Sequence, residues 1–228
     1  MNIFTIYWGG YFNTPSSTPQ LLDQIPDYVD YVILAFAGPI QNSTMETNFL
    51  CSRYNSDLIK KWTKILQSKG IKVLMSLLDT PETHWDMIDL NKFAKSVKQI
   101  AINEWGCDGI DIDAESGMEP NKYIEKFVEL VKNIRQEIGP DLVITYTCYM
   151  GTNLYDGEIL KQIKNDINWI QLMSYFSAYN QMINLYNDYK TIMGDAICIG
   201  VKAGEPDTTS INEVKKLCQW NPKKMGMM

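Results

Sequence analysis

Histidine is almost absent from this 228-residue chain, where His84 stands alone. One imidazole leaves little material for multi-histidine metal sites or for Ser-His and Cys-His networks. Cysteine is present without a pairing pattern. Cys51, Cys107, Cys148, Cys198 and Cys218 are odd in number and include no C-x-x-C spacing, which argues against a disulfide framework or a zinc cluster. Cys107, Cys148 and Cys198 fall in or beside expected strands, as small apolar fillers. No apolar run approaches the roughly 20 residues of a membrane helix, so no membrane partner is expected. Basic charge is in deficit, with 21 Lys and Arg against 27 Asp and Glu and a net charge of −6. The basic stripe that a nucleic-acid partner requires is missing. No secretory leader is expected either, because the first residues read as a strand. Together with the unpaired cysteines, this points to the cytoplasm. If a leader has been removed the protein is secreted, and only then does the Asn42-Ser43-Thr44 sequon matter.

What the chain does have is core-forming material, with 45% apolar and 21% charged residues. Short β-rich runs lie at 3–7, 31–37, 72–77, 109–114, 142–148, 169–175, 196–201 and 224–228. Helical periodicity separates them over 57–68, 90–103, 121–138, 158–167, 182–193 and 210–220, with a short first helix within 21–28. Gly70 and Gly139 follow helical patterns and read as helix stops. Strands alternating with helices predict a parallel sheet of βαβ units, and eight of them predict closure. The expected fold is α/β, a single (β/α)8 TIM barrel over residues 1–228 with short loops. Its last strand runs to Met228, so the eighth helix is missing or truncated, and the natural polypeptide is expected to continue.

The fourth strand concentrates the chemistry. In Asp108-Gly109-Ile110-Asp111-Ile112-Asp113-Ala114-Glu115, alternation puts Asp111, Asp113 and Glu115 on one face and Ile110, Ile112 and Ala114 on the other. In a barrel the apolar set faces the helices and the acids face the axis. Asp108 has the opposite parity and a different role. At roughly 3.3 Å per residue, successive acids have Cα atoms about 6.6 Å apart. Carboxylates that close in a low-dielectric interior cannot all ionise freely, so at least one pKa rises, as a general acid requires. Glu115 lies furthest toward the C-terminal rim, where barrel active sites sit. A solvated edge strand and a hard-cation site are the competing readings of such a cluster.

The pattern Asp-Gly-x-Asp-x-Asp-x-Glu on a fourth strand resembles the signature of glycoside hydrolase family 18, which holds chitinases, endo-β-N-acetylglucosaminidases and inactive relatives. Residues 108–115 match at every fixed position. Ile6-Tyr7-Trp8-Gly9, Leu34-Ala35-Phe36-Ala37 and Gln171-x-Met173-x-Tyr175 resemble the family's first, second and sixth strands. The resemblance implies a retaining mechanism outside the two-carboxylate scheme. Glu115 protonates the glycosidic oxygen, and the sugar's own 2-acetamido carbonyl attacks C1. Asp113 orients the acetamido N–H, Asp111 tunes Asp113, and Tyr175 donates to the acetamido oxygen. Glu115 then activates water. No metal or organic cofactor is implied. Sugar-contacting residues are expected at Tyr7, Phe36, Ser76, Gln171 and Met173, with Trp8 and Tyr149 as further candidate walls. Ser76 is also implied as a hydrogen-bond partner of Asp111. His84 follows the third strand as an incidental loop residue.

Two departures mark the sequence. The family's Ser-x-Gly-Gly on the third strand is here Ser76-Leu77-Leu78-Asp79, which adds an acid near the rim. Its strand-eight tryptophan has no counterpart in Met225-Gly226-Met227-Met228. The leading expectation is a glycosidase that cleaves β-1,4 links after N-acetylglucosamine, in chitin oligomers or the N-glycan core, through a shallow groove and endo-type cleavage. The partner is then an N-acetylglucosamine-containing saccharide and the protein a monomer. The alternatives are a catalytically inactive lectin-like or inhibitor barrel of the same fold, and a metal-dependent barrel enzyme.

Overall fold

The structure, a computed structural model, describes residues 3–10, 21–149, 151–202, 209–220 and 223–228. Its strands are β1 (Ile3–Gly9), β2 (Tyr31–Pro39), β3 (Met45–Glu46), β4 (Lys72–Leu77), β5 (Gly109–Asp113), β6 (Val143–Cys148), β7 (Trp169–Leu172), β8 (Ile197–Ile199) and β9 (Gly226–Met227). All but β3 pair in parallel, and the β1–β2 pairing closes them into an eight-stranded barrel. The short β3 pairs antiparallel with the last two residues of β2, Gly38 and Pro39, a feature the periodicity did not indicate.

Six α-helices wrap the described barrel: α1 (Ser56–Ser68), α2 (Leu90–Val97), α3 (Pro120–Ile138), α4 (Tyr155–Ile163), α5 (Tyr179–Met193) and α6 (Ile211–Gln219). The expected helix over 90–103 is α2 continued by wider, π-type turns over Lys98–Glu104. The expected first helix shrinks to a 3-10 turn, Leu22–Gln24. The α3 stop works through Gly139 at φ 82°, whose N–H closes onto the Arg135 carbonyl. Among the described residues no helix follows β9, and none is long and apolar enough to cross a membrane.

Two cores result. The larger lies between strands and helices and takes Ile110, Ile112 and Ala114 from β5 and its end, with Phe127, Leu130 and Tyr146. The smaller fills the barrel with Ile3, Trp169, Met173, Cys198 and Met228. All five cysteines are free, and Cys107, Cys148 and Cys198 are buried. Burial pushes the Cys107 thiol up to about 12, so it packs as an apolar group.

Arg135 ties the N-terminal end of the barrel together. It donates from Nε to the Asp166 carbonyl at 2.7 Å, from Nη1 to Gly139 and Leu142 carbonyls at 2.8 and 2.7 Å, and from Nη2 to Asn168 Oδ1 at 3.0 Å. Asp108 serves the same end. It accepts from Gln67, Lys72 and the Val73 N–H, each at 2.9 Å, consistent with its opposite parity.

Candidate active site

β5 can lie close to β6 because its first residue is glycine. A Cβ at Gly109 would fall 2.1 Å from the Val143 carbonyl oxygen. This register puts Asp111 between Ser76 of β4 and Thr145 of β6, with Thr147 opposite Asp113. Each neighbour brings a hydroxyl to the axis.

Asp111 is fully buried. Its Oδ2 accepts from Tyr7 Oη at 2.8 Å and Ser76 Oγ at 2.7 Å. Its Oδ1 accepts from Thr145 Oγ1 at 2.5 Å and Thr147 Oγ1 at 3.1 Å. The Tyr7 and Thr147 hydroxyls also lie 2.6 Å apart. Four hydroxyl hydrogens cannot fill these five contacts, so all close as hydrogen bonds only with a proton on Asp111. The pKa agrees in direction. Burial raises it, and the bonds from Ser76, Thr145, Tyr7 and Thr147 oppose the rise without cancelling it.

Asp113 is 3% exposed, and its Oδ1 has no hydrogen-bond partner among the described residues. Burial drives its pKa well above the ordinary value, and the charges of Asp111 and Glu115 add to the rise. An unpartnered acceptor in such a place is costly unless a ligand donor reaches it. Glu115 lies beyond the end of β5, exposed at the rim, and desolvation raises its carboxyl as well. Alternation therefore accounts for Asp111 and Asp113, while Glu115 depends on the loop that follows.

Tyr7 is half-buried, and Phe36 is half-buried toward the C-terminal end of β2. Ser76 and Gln171 are fully buried and touch Asp111 and Thr5, not the open face. Met173 packs inside the barrel. Strand β7 stops at Leu172, earlier than the expected 175, and Tyr175 sits half-buried on the 3-10 turn Ser174–Phe176. Its ring centroid lies 4.6 Å from that of Phe176. A turn and not strand parity carries Tyr175 to the rim. Trp8 is no wall of the cleft. It is 8% exposed and packs outward on Tyr54 and Trp62. Tyr149 is 41% exposed just past β6, and desolvation followed by the Glu115 charge raises its pKa.

The inward threonines of β6 were not singled out from sequence, although hydroxyls at every second position of an apolar strand are a visible signal. Nor was the cluster of Asp79, His84 and Ser116. His84 Nδ1 lies 3.1 Å from Asp79 Oδ2, and Ser116 Oγ donates to that same oxygen.

The family model for the endo-beta-N-acetylglucosaminidase EndoS TIM-barrel domain matches residues 5–221. Endo-beta-N-acetylglucosaminidase F2 of Elizabethkingia meningoseptica is 27% identical over 172 residues, 72% of this chain and 45% of that protein. Exochitinase 1 of Streptomyces olivaceoviridis is 24% identical over 80% of this chain and 37% of its own. The chain thus spans less than half the length of these curated relatives. A chitinase structure from Pseudoalteromonas aurantia superposes with a TM-score of 0.73 at 19% identity, covering 100% of this chain and 93% of that one. An endo-beta-N-acetylglucosaminidase structure from Cordyceps militaris gives 0.70 at 18%, covering 99% and 80%. These structural likenesses concern the barrel.

Proposed function

The chain belongs to the chitinase and endo-β-N-acetylglucosaminidase barrels of glycoside hydrolase family 18, and from that membership we propose that it is a retaining glycosidase cleaving β-1,4 links after N-acetylglucosamine by substrate-assisted catalysis. The observation that carries the proposal is the buried Asp113 oxygen that has no partner among the described residues, between a hydroxyl-bound Asp111 and a rim carboxyl with a raised pKa.

In this reading Glu115 stays protonated to a higher pH than a solvated glutamate and protonates the glycosidic oxygen as the C1–O bond breaks. The 2-acetamido carbonyl oxygen of the same sugar forms the new bond to C1, giving an oxazolinium intermediate. Its N–H donates to the open Asp113 oxygen, which orients the acetamido group and, once Asp113 is ionised, balances the positive charge that develops. Burial makes Asp111 take up a proton more readily than a solvated aspartate, and its four hydroxyl partners spread the charge it carries when ionised, which limits the negative charge behind Asp113. Tyr175 donates to the acetamido oxygen. Glu115, now ionised, takes a proton from the water that opens the intermediate at C1.

The test incubates the protein and its Glu115→Gln variant with N-acetylchitooligosaccharides and a released high-mannose N-glycan, with products read by mass spectrometry. Cleavage is expected from the parent, with the variant slower by about 10²–10⁴-fold. Replacing the 2-acetamido group of the scissile sugar with a hydroxyl should abolish turnover. Equal rates for parent and variant, or cleavage that survives loss of the acetamido group, would refute the mechanism. Binding without cleavage would assign a lectin-like barrel instead.

A further inference from the structure

The third barrel strand, β4, is followed by a loop over residues 78–87 that grips the segment carrying Glu115. Trp85 anchors the loop, fully buried with its ring 5.4 Å from Phe93. From this anchored loop three contacts reach the segment after β5. Asp79 Oδ2 takes the Ser116 hydroxyl. The His84 imidazole lies over Gly117, where a Cβ would fall 2.9 Å from its Cε1. Asp86 pairs with Lys122 at 2.7 Å, at the start of α3.

Asp79 is itself held tightly. It is 8% exposed, and its Oδ2 also accepts from the Trp85 N–H at 3.2 Å and lies 3.1 Å from His84 Nδ1. That single oxygen therefore takes three contacts and has little freedom to turn. Across the gap, Ser116 Oγ passes the restraint on by accepting the Met118 N–H at 3.1 Å.

The other side of Glu115 is fixed as well. The Ala114 N–H donates to the Thr147 carbonyl at 3.2 Å, and Tyr123 Oη donates to the Ala114 carbonyl. Tyr123 Oη also accepts the Ser116 N–H at 3.3 Å. Both peptide neighbours of Glu115 are thus pinned, while Glu115 has no hydrogen bond of its own among the described residues. Among the described residues, the backbone on either side is what aims its carboxyl.

We infer that Asp79, held by His84 and Trp85, is a positioning residue that aims Glu115 through the Ser116 hydroxyl. Asp79 occupies a position where the family resemblance expects glycine, so this brace is a feature of the chain's own third-strand loop. The inference rests on Glu115 being the general acid and adds the group that orients it. The oxygen that acts in this role, Oδ2, is spent on Ser116, His84 and the Trp85 N–H, so the brace requires no contact between Asp79 and substrate.

The test uses the full chain with Ser116→Ala, Asp79→Ala, Asp79→Asn and the double variant Asp79→Ala/Ser116→Ala. Kinetics on whichever saccharide the parent cleaves are joined to amide hydrogen exchange without substrate. A misaimed acid lowers kcat and leaves binding intact. Ser116→Ala and Asp79→Ala should each lose about 10–100-fold in kcat with KM moving less than about threefold. The double variant should lose no more than the worse single one, since both remove one link. Asp79→Asn keeps an acceptor oxygen and should recover most of the rate. In Asp79→Ala the Ser116 hydroxyl is intact, yet the Met118 amide should exchange faster because Ser116 is released. Unchanged kcat in folded variants, a change confined to KM, or unchanged Met118 exchange would overturn the brace. Should Asp79→Ala fail to fold, the kcat of Ser116→Ala decides alone, because that variant cuts the same link from the other side. If the parent cleaves nothing, the glycosidase reading fails by itself, and the exchange result alone decides whether Asp79 holds this loop.

Discussion

Burial, then the charges of Asp111 and Glu115, hold the Asp113 carboxyl in its neutral form to a higher pH than in the unfolded chain. A proton bound more tightly in the folded state stabilises that state at acid pH. The contribution is complete below the unfolded aspartate value of about 3.9 and is lost as pH rises through the higher folded value. Asp113→Asn removes this dependence while keeping the shape. The variant should therefore be more stable than the parent at pH 8, with the advantage shrinking toward pH 4. Calorimetric melting across that range checks it, and a difference independent of pH would mean that Asp113 is not protonated more readily in the folded protein. The rim behaves differently. Glu115 is exposed, so Glu115→Gln should leave the melting temperature almost unchanged while removing the proposed activity. Desolvation raises its pKa, and the loss of activity at alkaline pH should accordingly begin above the range of a solvated glutamate.

Elements set what these residues can reach. Gly109 lets β5 approach β6 until hydroxyls of Thr145 and Thr147 both meet Asp111. Gly109→Ala would drive its Cβ into main-chain atoms of Val143 that cannot rotate away. Separation of the two strands should destabilise the protein by about 1–3 kcal/mol or more. It should also lower turnover through loss of the Asp111 contacts, whereas a control at an open glycine should not. Gly70 is such a position for space, but its φ of 85° adds backbone strain, so Gly70→Asn is the appropriate control. Denaturant melts with parallel rate measurements separate the two outcomes. The turn Ser174–Phe176 shows the same dependence. Because β7 ends at Leu172, the turn and not the strand brings Tyr175 to the rim.

For the whole molecule, the barrel separates stability from chemistry along its axis. Arg135 and Asp108 bind the N-terminal end, while the acids open at the other. Arg135→Ala strips four hydrogen bonds from one partly buried guanidinium. A loss of about 1.5–3 kcal/mol is expected for a charged donor set of this kind. Below the melting transition kcat and KM should stay at parent values. A kinetic defect in folded Arg135→Ala would show that the two ends are coupled.

Strand order, barrel closure and the inward face of Asp111 and Asp113 were legible in the sequence, because period-two alternation and eight strands separated by long connections leave few other ways to bury the apolar set. The buried cysteines were legible for the same reason. Local pattern did not reveal the ends of strands. Tyr175 and Glu115 both lie past the last paired residue, where backbone direction depends on loops packed from elsewhere in the chain. Nor did it reveal partners. That Asp111 gathers hydroxyls from β1, β4 and β6, that Trp8 packs outward, and that His84 braces Asp79 against the segment after β5 are contacts between residues 5 to 140 positions apart. Sequence by itself determined which side chains within the strands, such as Asp111 and Asp113, face the axis. Only the closed barrel decided which of them meet, because closure brings together strands that are distant along the chain and fixes their register.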